Sequence, residues 1–180
     1  HECSSAASDV YKRQTDVGVV LFDEAAVRST GTGADAATIS ITGTGGDIGI
    51  LLQDTNTIVT SVDGNISLDG TGTNIDGVAI DDATVSSTGT TADAATITLM
   101  GTTSGIDGVF LGGTSTVTTV AGDLMITGDA TGGGNDALHF GTNSTVSSTG
   151  AGATAADITL MGSGGALDSV FLQGLSLIHI

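Results

Sequence analysis

Residues 85–101 read VSSTGTTADAATITLMG and residues 146–162 read VSSTGAGATAADITLMG, so almost the same segment occurs twice, 61 positions apart. Each copy ends in the pattern apolar-x-apolar-x-Gly, which we call the Gly pattern. Strict alternation of apolar and polar residues points successive side chains to opposite faces of a β-strand. The segment therefore predicts short strands within a chain of internal repeats.

Two further patterns recur with the Gly pattern. The Asp pattern starts with an aspartate and continues as a short apolar strand, and the Val pattern is Thr or Ala, an apolar residue, then Ser, Thr or Arg. Each unit of about 30 residues thus contains three short strands. The Gly patterns are residues 39–43, 66–70, 97–101, 124–128 and 158–162. The Asp patterns begin at Asp16, Asp47, Asp76, Asp107, Asp136 and Asp168, and the Val patterns are centred on Val27, Ile58, Val85, Val117 and Val146.

Strands this short offer only two or three side chains each to a core, so a single unit cannot fold alone. Stacking of the units adds hydrogen bonds between turns and seals the core. We therefore expect an all-β chain, a right-handed parallel β-helix (solenoid) with three short strands per turn and about five to six turns. Glycine at the end of the Gly pattern is expected to form a corner with positive φ. The first interior column is expected to be Ile39, Ile66, Ile97, Leu124 and Ile158.

A β-sandwich of immunoglobulin-like repeats is the alternative fold. Such repeats are usually about 100 residues long, whereas Ile39, Ile97 and Ile158 recur after 58 and 61 residues. A left-handed hexapeptide solenoid would need a stricter six-residue period than this chain has. The chain also has no proline, which agrees with strands that lie inside a hydrogen-bonded ladder.

The two ends of the chain, residues 1–14 (HECSSAASDVYKRQ) and 175–180 (LSLIHI), do not follow the repeat. Both resemble translated sequencing-library adapter, so we expect non-native tails around a solenoid at residues 15–174; ordinary frayed ends are the alternative. The solenoid segment contains one basic residue, Arg28, one histidine, His139, and no cysteine, which excludes disulfide frameworks and thiolate metal sites there. No initiator Met, signal peptide or apolar run of transmembrane length is present, and we expect a fragment of a longer gene.

The charge of the chain excludes two classes of protein. There are 20 acidic residues against 3 basic ones, and the net charge is -17. Affinity for phosphate groups requires clustered Lys and Arg. We therefore expect no nucleic-acid partner and no polybasic membrane surface, and we expect no membrane insertion.

The repeats of residues 15–174 resemble the Gly/Thr/Asp-rich β-strand repeats of large bacterial surface and secreted proteins, including filamentous-haemagglutinin-like adhesins and autotransporter passengers. The resemblance implies an extended extracellular or cell-surface stalk that displays adhesive surfaces and has no cofactor. It implies a structural or adhesive segment rather than an enzyme. The turns here are longer than the usual haemagglutinin repeat, and the chain has no secretion domain.

Six equivalent aspartates would form a column of like charges about 4.8 Å apart along the solenoid. Calcium could offset their repulsion, because hard cations prefer carboxylate oxygens. We favour the other interpretation, in which each Asp caps a turn through its own backbone N–H and stays solvated. Residues 132–138 (GGGNDAL) resemble the calcium-binding nonapeptide of β-roll toxins, but the motif occurs once rather than in tandem. We therefore predict no metal site.

Two other functions are open but less favoured. A β-helix polysaccharide-degrading enzyme needs several acids beside Arg or Lys, and the solenoid segment has only Arg28 and His139 for such roles. We predict no catalytic residues, and we expect His139 to be a solvated outward residue. Ice binding would require unbroken hydroxyl rows, but Met and Asp interrupt both candidate rows. These rows are Ser40, Ser67, Thr98, Met125, Thr159 and Thr42, Asp69, Met100, Thr127, Met161.

Two phenylalanines are expected on the outer face of the solenoid. Phe110 and Phe171 lie between inward apolar residues, so alternation turns both rings outward, with His139 between them in the same column. Covering loops, a partner-binding strip and tolerated exposure are the three explanations that stay open. The cut ends of the stack predict end-to-end self-association, so the expected partners are neighbouring turns of the parent protein or a surface ligand.

Overall fold

The computed structural model describes residues 16–132, 135–150 and 156–179. Their strands form three parallel sheets that stack as a β-solenoid of about five turns, and these residues contain no helix. The Asp sheet contains β1 (Val17–Leu21), β4 (Ile48–Gln53), β7 (Val78–Asp81), β10 (Asp107–Gly112), β13 (Asp136–Phe140) and β16 (Asp168–Leu172). The Val sheet contains β2 (Ala26–Ser29), β5 (Ile58–Ser61), β8 (Thr84–Ser87), β11 (Thr116–Thr119), β14 (Thr145–Ser148) and β17 (Ser176–His179). The Gly sheet contains β3 (Ile39–Thr44), β6 (Ile66–Gly72), β9 (Ile97–Thr103), β12 (Leu124–Ala130) and β15 (Ile158–Gly164).

The predicted interior column of the Gly sheet is confirmed. Ile39, Ile66, Ile97, Leu124 and Ile158 are paired in that order in parallel register. The first four are buried, and Ile158, in the last turn, is partly buried against the core. Like residues thus lie on like residues, and the all-β parallel solenoid inferred from the repeat is the observed fold.

The glycines that end the Gly pattern have a different role from the one predicted. None of the five has a positive φ, so they do not form left-handed corners. Instead, a Cβ at each position would overlap a carbonyl oxygen of the next Asp-sheet strand. Glycine is required there because two backbones approach closely where the chain passes between sheets. The pairs are Gly43 with Gly49, Gly70 with Gly77, Gly101 with Gly108, Gly128 with Ala137, and Gly162 with Ser169.

The prediction of the inward residue is also wrong for one member of the Val pattern. Val59, not Ile58, pairs with Val27 and Val85 and is buried in the core, whereas Ile58 is partly exposed and pairs with Thr84. Ile58 and Val59 are adjacent and both β-branched, so alternation alone cannot choose between them. The neighbouring Thr57 is fully buried in the turn that precedes the strand. The inward column is therefore Val27, Val59, Val85, Val117 and Val146.

At the C-terminal end, residues predicted to lie outside the solenoid continue the hydrogen-bonded Val sheet. Strand β17 pairs with β14, and Leu177 takes the position next to Val146. Leu175 packs partly against the core. The non-native origin of both ends stays a prediction, and residues 1–14 lie outside the described residues.

Apolar columns reach the last described turn and become exposed there. Leu172 continues the buried column of Leu111 and Phe140 but is 50% exposed, and Leu177 is 52% exposed. The core is thus closed along its length by the three sheets and open at this end. Among the described residues there is no helix with the length and apolar composition needed to cross a membrane.

Candidate functional site

The Asp sheet brings four aspartates into one column. Asp107, Asp136 and Asp168 begin successive strands in register, and Asp76 takes the equivalent position just before β7. The prediction of six equivalent aspartates is wrong for the first two turns, because Ile50 pairs with Val78 and this register places Asp47 one position before Asp76. The reason is one additional residue after the aspartate in those two turns, Val17 and Ile48.

The aspartates of the middle turns are not solvated caps, contrary to the expectation. Asp76, Asp107 and Asp136 are only 6%, 3% and 5% exposed, while Asp168 in the last turn is exposed. Each carboxylate accepts a hydrogen bond from the next aspartate in the column rather than from its own turn. The backbone N–H of Asp107 donates to Asp76 Oδ1 at 3.1 Å, that of Asp136 to Asp107 Oδ1 at 3.1 Å, and that of Asp168 to Asp136 Oδ1 at 3.0 Å.

His139 closes this column on its outer side. Its Nδ1 lies 3.0 Å from Asp107 Oδ2 and 3.7 Å from Asp136 Oδ2, and its side chain is 25% exposed. One ligand atom from each of these three residues lies within 4.8 Å of the other two. His139 is therefore a bonded member of a buried acidic cluster, not the solvated residue that the sequence predicted.

Two aromatic rings hold the imidazole in place. Phe110 and Phe171 lie in register with His139, as predicted, and neither belongs to the core. Their ring centroids are 5.2 and 5.1 Å from that of His139, with interplanar angles of 82°. Edge-on contacts of this kind are favourable for aromatic groups. Both phenylalanines are partly buried, and their contact with His139 covers part of their apolar surface.

The electrostatics of the column follow from burial. Burial, followed by repulsion from Asp107, raises the pKa of Asp76 to about 7, although the Asp107 N–H and His139 act in the opposite direction. Burial also raises the pKa of Asp107, and the nearby His139 is the largest influence that lowers it. The Asp76 carboxyl group therefore exchanges its proton near neutral pH.

We expect the protein to lose stability as the pH rises from about 4 to about 7, the interval between the unfolded and folded pKa values of Asp76. Protonated Asp76 is favoured in the folded state, so its contribution is complete below that interval and lost above it. The loss is on the order of 4 kcal/mol. Thermal melts between pH 4 and 8, in buffer containing EDTA, measure it.

Asp76→Asn is the matched variant, because an amide oxygen can still accept the Asp107 N–H. It should flatten the pH profile and be more stable than the native chain at pH 8. Asp82→Asn is the control: Asp82 is partly exposed, and hydrogen bonds from the Thr114 backbone and hydroxyl lower its pKa. An Asp76→Asn profile as steep as the native one would contradict the assignment.

The other candidate residues are not brought together. Arg28 is exposed on β2 of the Val sheet, in the first turn, while His139 lies on β13 of the Asp sheet. Residues 133 and 134 of the nonapeptide-like stretch lie outside the described residues, and Asp136 begins β13. The two hydroxyl rows are in register as predicted, with their Met and Asp interruptions.

The chain matches no known protein family, no curated protein and no solved structure.

Proposed function

We propose that the chain is a structural and adhesive segment of a longer β-solenoid protein at the cell surface or outside the cell. The observation that carries the structural part is the open end of the stack. The three sheets stack in continuous register from turn to turn, and two inward columns of the Asp sheet end in exposed Val170 and Leu172. A further turn, from the parent protein or from a second copy, would cover them.

The adhesive and extracellular parts of the proposal rest on the style of the repeats, which resembles that of bacterial surface stalks. The structure supports this proposal through what the turns have in common: each of the five complete turns contributes one strand to each of the three sheets, which suits a spacer that holds a surface at a distance. Catalysis is not part of the proposal. Assays on acidic and neutral polysaccharides are expected to detect no new reducing ends. If the native chain released reducing ends and a His139→Phe variant did not, the enzyme alternative would be favoured.

Self-association through the open end tests the structural part. Sedimentation velocity of the whole chain at increasing concentration is expected to show association. The double variant Val170→Lys/Leu172→Lys should weaken it about tenfold or more, since each buried Val or Leu side chain contributes roughly 1.5–3 kcal/mol.

Met100→Lys/Met161→Lys is the control with the same change in charge. These methionines are exposed and lie in one outward row on the side of the Gly sheet. This control should associate like the native chain. Equal weakening by both double variants would show that net charge, not the open end, governs association, and would contradict the proposal.

A further inference from the structure

We propose that Asp107, Asp136 and His139 form a binding site for one divalent transition-metal ion, with Zn²⁺ as the best-suited ion. The imidazole Nδ1 and the two carboxylate Oδ2 atoms are separated by 3.0 and 3.7 Å. Zinc bonds of about 2.0–2.2 Å place neighbouring ligand atoms about 3.0–3.5 Å apart at angles between 90° and tetrahedral. The two carboxylate oxygens lie within 4.8 Å of each other, so they must approach by up to about 1.3 Å before one ion contacts all three atoms.

Asp136 provides an independent indication of a ligand. Its side chain is only 7% exposed, and its Oδ1 is occupied by the Asp168 N–H. Its Oδ2 accepts no hydrogen bond from the described residues, and His139 Nδ1 at 3.7 Å is beyond hydrogen-bonding distance. In a side chain this deeply buried, each carboxylate oxygen normally has a protein partner, whereas Oδ2 keeps only some contact with solvent. An ion between the imidazole and the two carboxylates would supply a partner.

No Lys or Arg within the described residues balances the carboxylates of the site. Asp76, Asp107 and Asp136 are stacked and buried, at a strand spacing of about 4.8 Å. Arg28 is the one Lys or Arg within the described residues, and it is exposed in another sheet at the far end of the stack. A divalent cation would offset this repulsion.

The ligand types favour zinc over calcium. Calcium takes six to eight oxygens, whereas imidazole together with carboxylates suits zinc and its neighbours in the first transition row. The partly exposed His139 leaves solvent access for water to complete the coordination. Phe110 and Phe171 contact the imidazole ring on both sides and fix its orientation before any ion binds.

The site occurs once along the described column. Ala79, Phe110 and Phe171 occupy the positions equivalent to His139 on β7, β10 and β16. Only the turn that contains β13 therefore pairs an imidazole with the buried aspartates, and we expect one ion per chain.

The test is calorimetric titration of the whole chain with ZnCl₂, together with thermal melts in Zn²⁺, Ca²⁺ and Mg²⁺ at equal ionic strength. We expect one Zn²⁺ per chain and a rise in melting temperature with Zn²⁺ that the other two ions do not produce. His139→Phe should lower the affinity at least about tenfold. This variant retains the packing of the column, in which phenylalanine already occupies the neighbouring turns. Asp136→Asn, which can still accept the Asp168 N–H, should also weaken binding.

The terminal residues His1, Cys3 and His179 are potential zinc ligands by their chemistry, so they require a control. The variant His1→Ala/Cys3→Ser/His179→Ala is expected to bind Zn²⁺ like the native chain. Zinc affinity that survives in His139→Phe, or that is lost in the terminal variant, would overturn the proposal. The absence of stoichiometric binding to the native chain, or equal stabilisation by Ca²⁺, would overturn it as well.

Discussion

Replacing Ile97 by aspartate is expected to abolish folding of the described turns, while Thr98→Asp leaves the melting temperature almost unchanged. Ile97 is fully buried and stacked between Ile66 and Leu124, so its aspartate would be an unpaired charge in an apolar column. Such a burial costs at least about 5 kcal/mol. Thr98 is partly exposed, and its neighbours in the outward row are Ser67 and Met125.

Circular dichroism and thermal melts of the two variants measure this difference. Both variants add one negative charge at adjacent positions, so the general effect of charge is the same in each. Ile97→Asn is a further comparison, since it buries a polar group without a charge and should fall between the other two. Similar melting losses for Ile97→Asp and Thr98→Asp would refute the inward and outward assignment of the Gly sheet.

Gly101→Ala is expected to destabilise the protein by about 3 kcal/mol or more, although it adds a single methyl group. The new Cβ would overlap the carbonyl oxygen of Gly108 and also meet the side chain of Val109. The conflict is with backbone, so a side-chain rotation cannot relieve it. Moving β9 away from β10 would also disturb the equivalent contacts at Gly70 and Gly128, which lie in register with Gly101.

Gly141→Ala is the matched substitution for this prediction. At Gly141 the nearest atom to an added Cβ is the Leu111 carbonyl oxygen at 3.3 Å, and its φ is not positive. We expect a much smaller loss there, measured by urea denaturation of both variants. A neutral Gly101→Ala would mean that the two strands separate easily and that close approach is not the reason for glycine at this position.

The fold could be predicted because the repeat carries its own register. Once Ile97 and Leu124 are aligned, every stacked pair in the Gly sheet follows, and a one-residue error would turn the apolar set outward. The alternation of apolar and polar residues did not give the correct assignment at two positions. At Ile58 and Val59 two adjacent apolar residues compete for one inward position, and at Gly101 the sequence indicates that glycine is needed without saying whether φ or space is the reason.

The acidic cluster could not be predicted from alternation. Asp136 and His139 are three positions apart, which in a regular strand places them on opposite faces. In the structure Ala137 and Leu138 are both fully buried, so the alternation is broken at the start of β13. This break puts the carboxylate and the imidazole on the same side. The one available signal was the unusual histidine itself, in a column otherwise made of the apolar residues Val20, Leu51, Ala79, Phe110 and Phe171.

The narrow range of separations between paired residues, 26 to 34 positions, has a consequence for how the chain acquires its structure. Val109 pairs with Val78 and with Leu138, which are 31 and 29 residues away, and every turn repeats such short closures. The entropy of closing each loop is then nearly the same for every turn, however many turns precede it. A solenoid of this kind can therefore grow from one end as the chain emerges from a ribosome. The time needed for each added turn would not increase with the length of the protein.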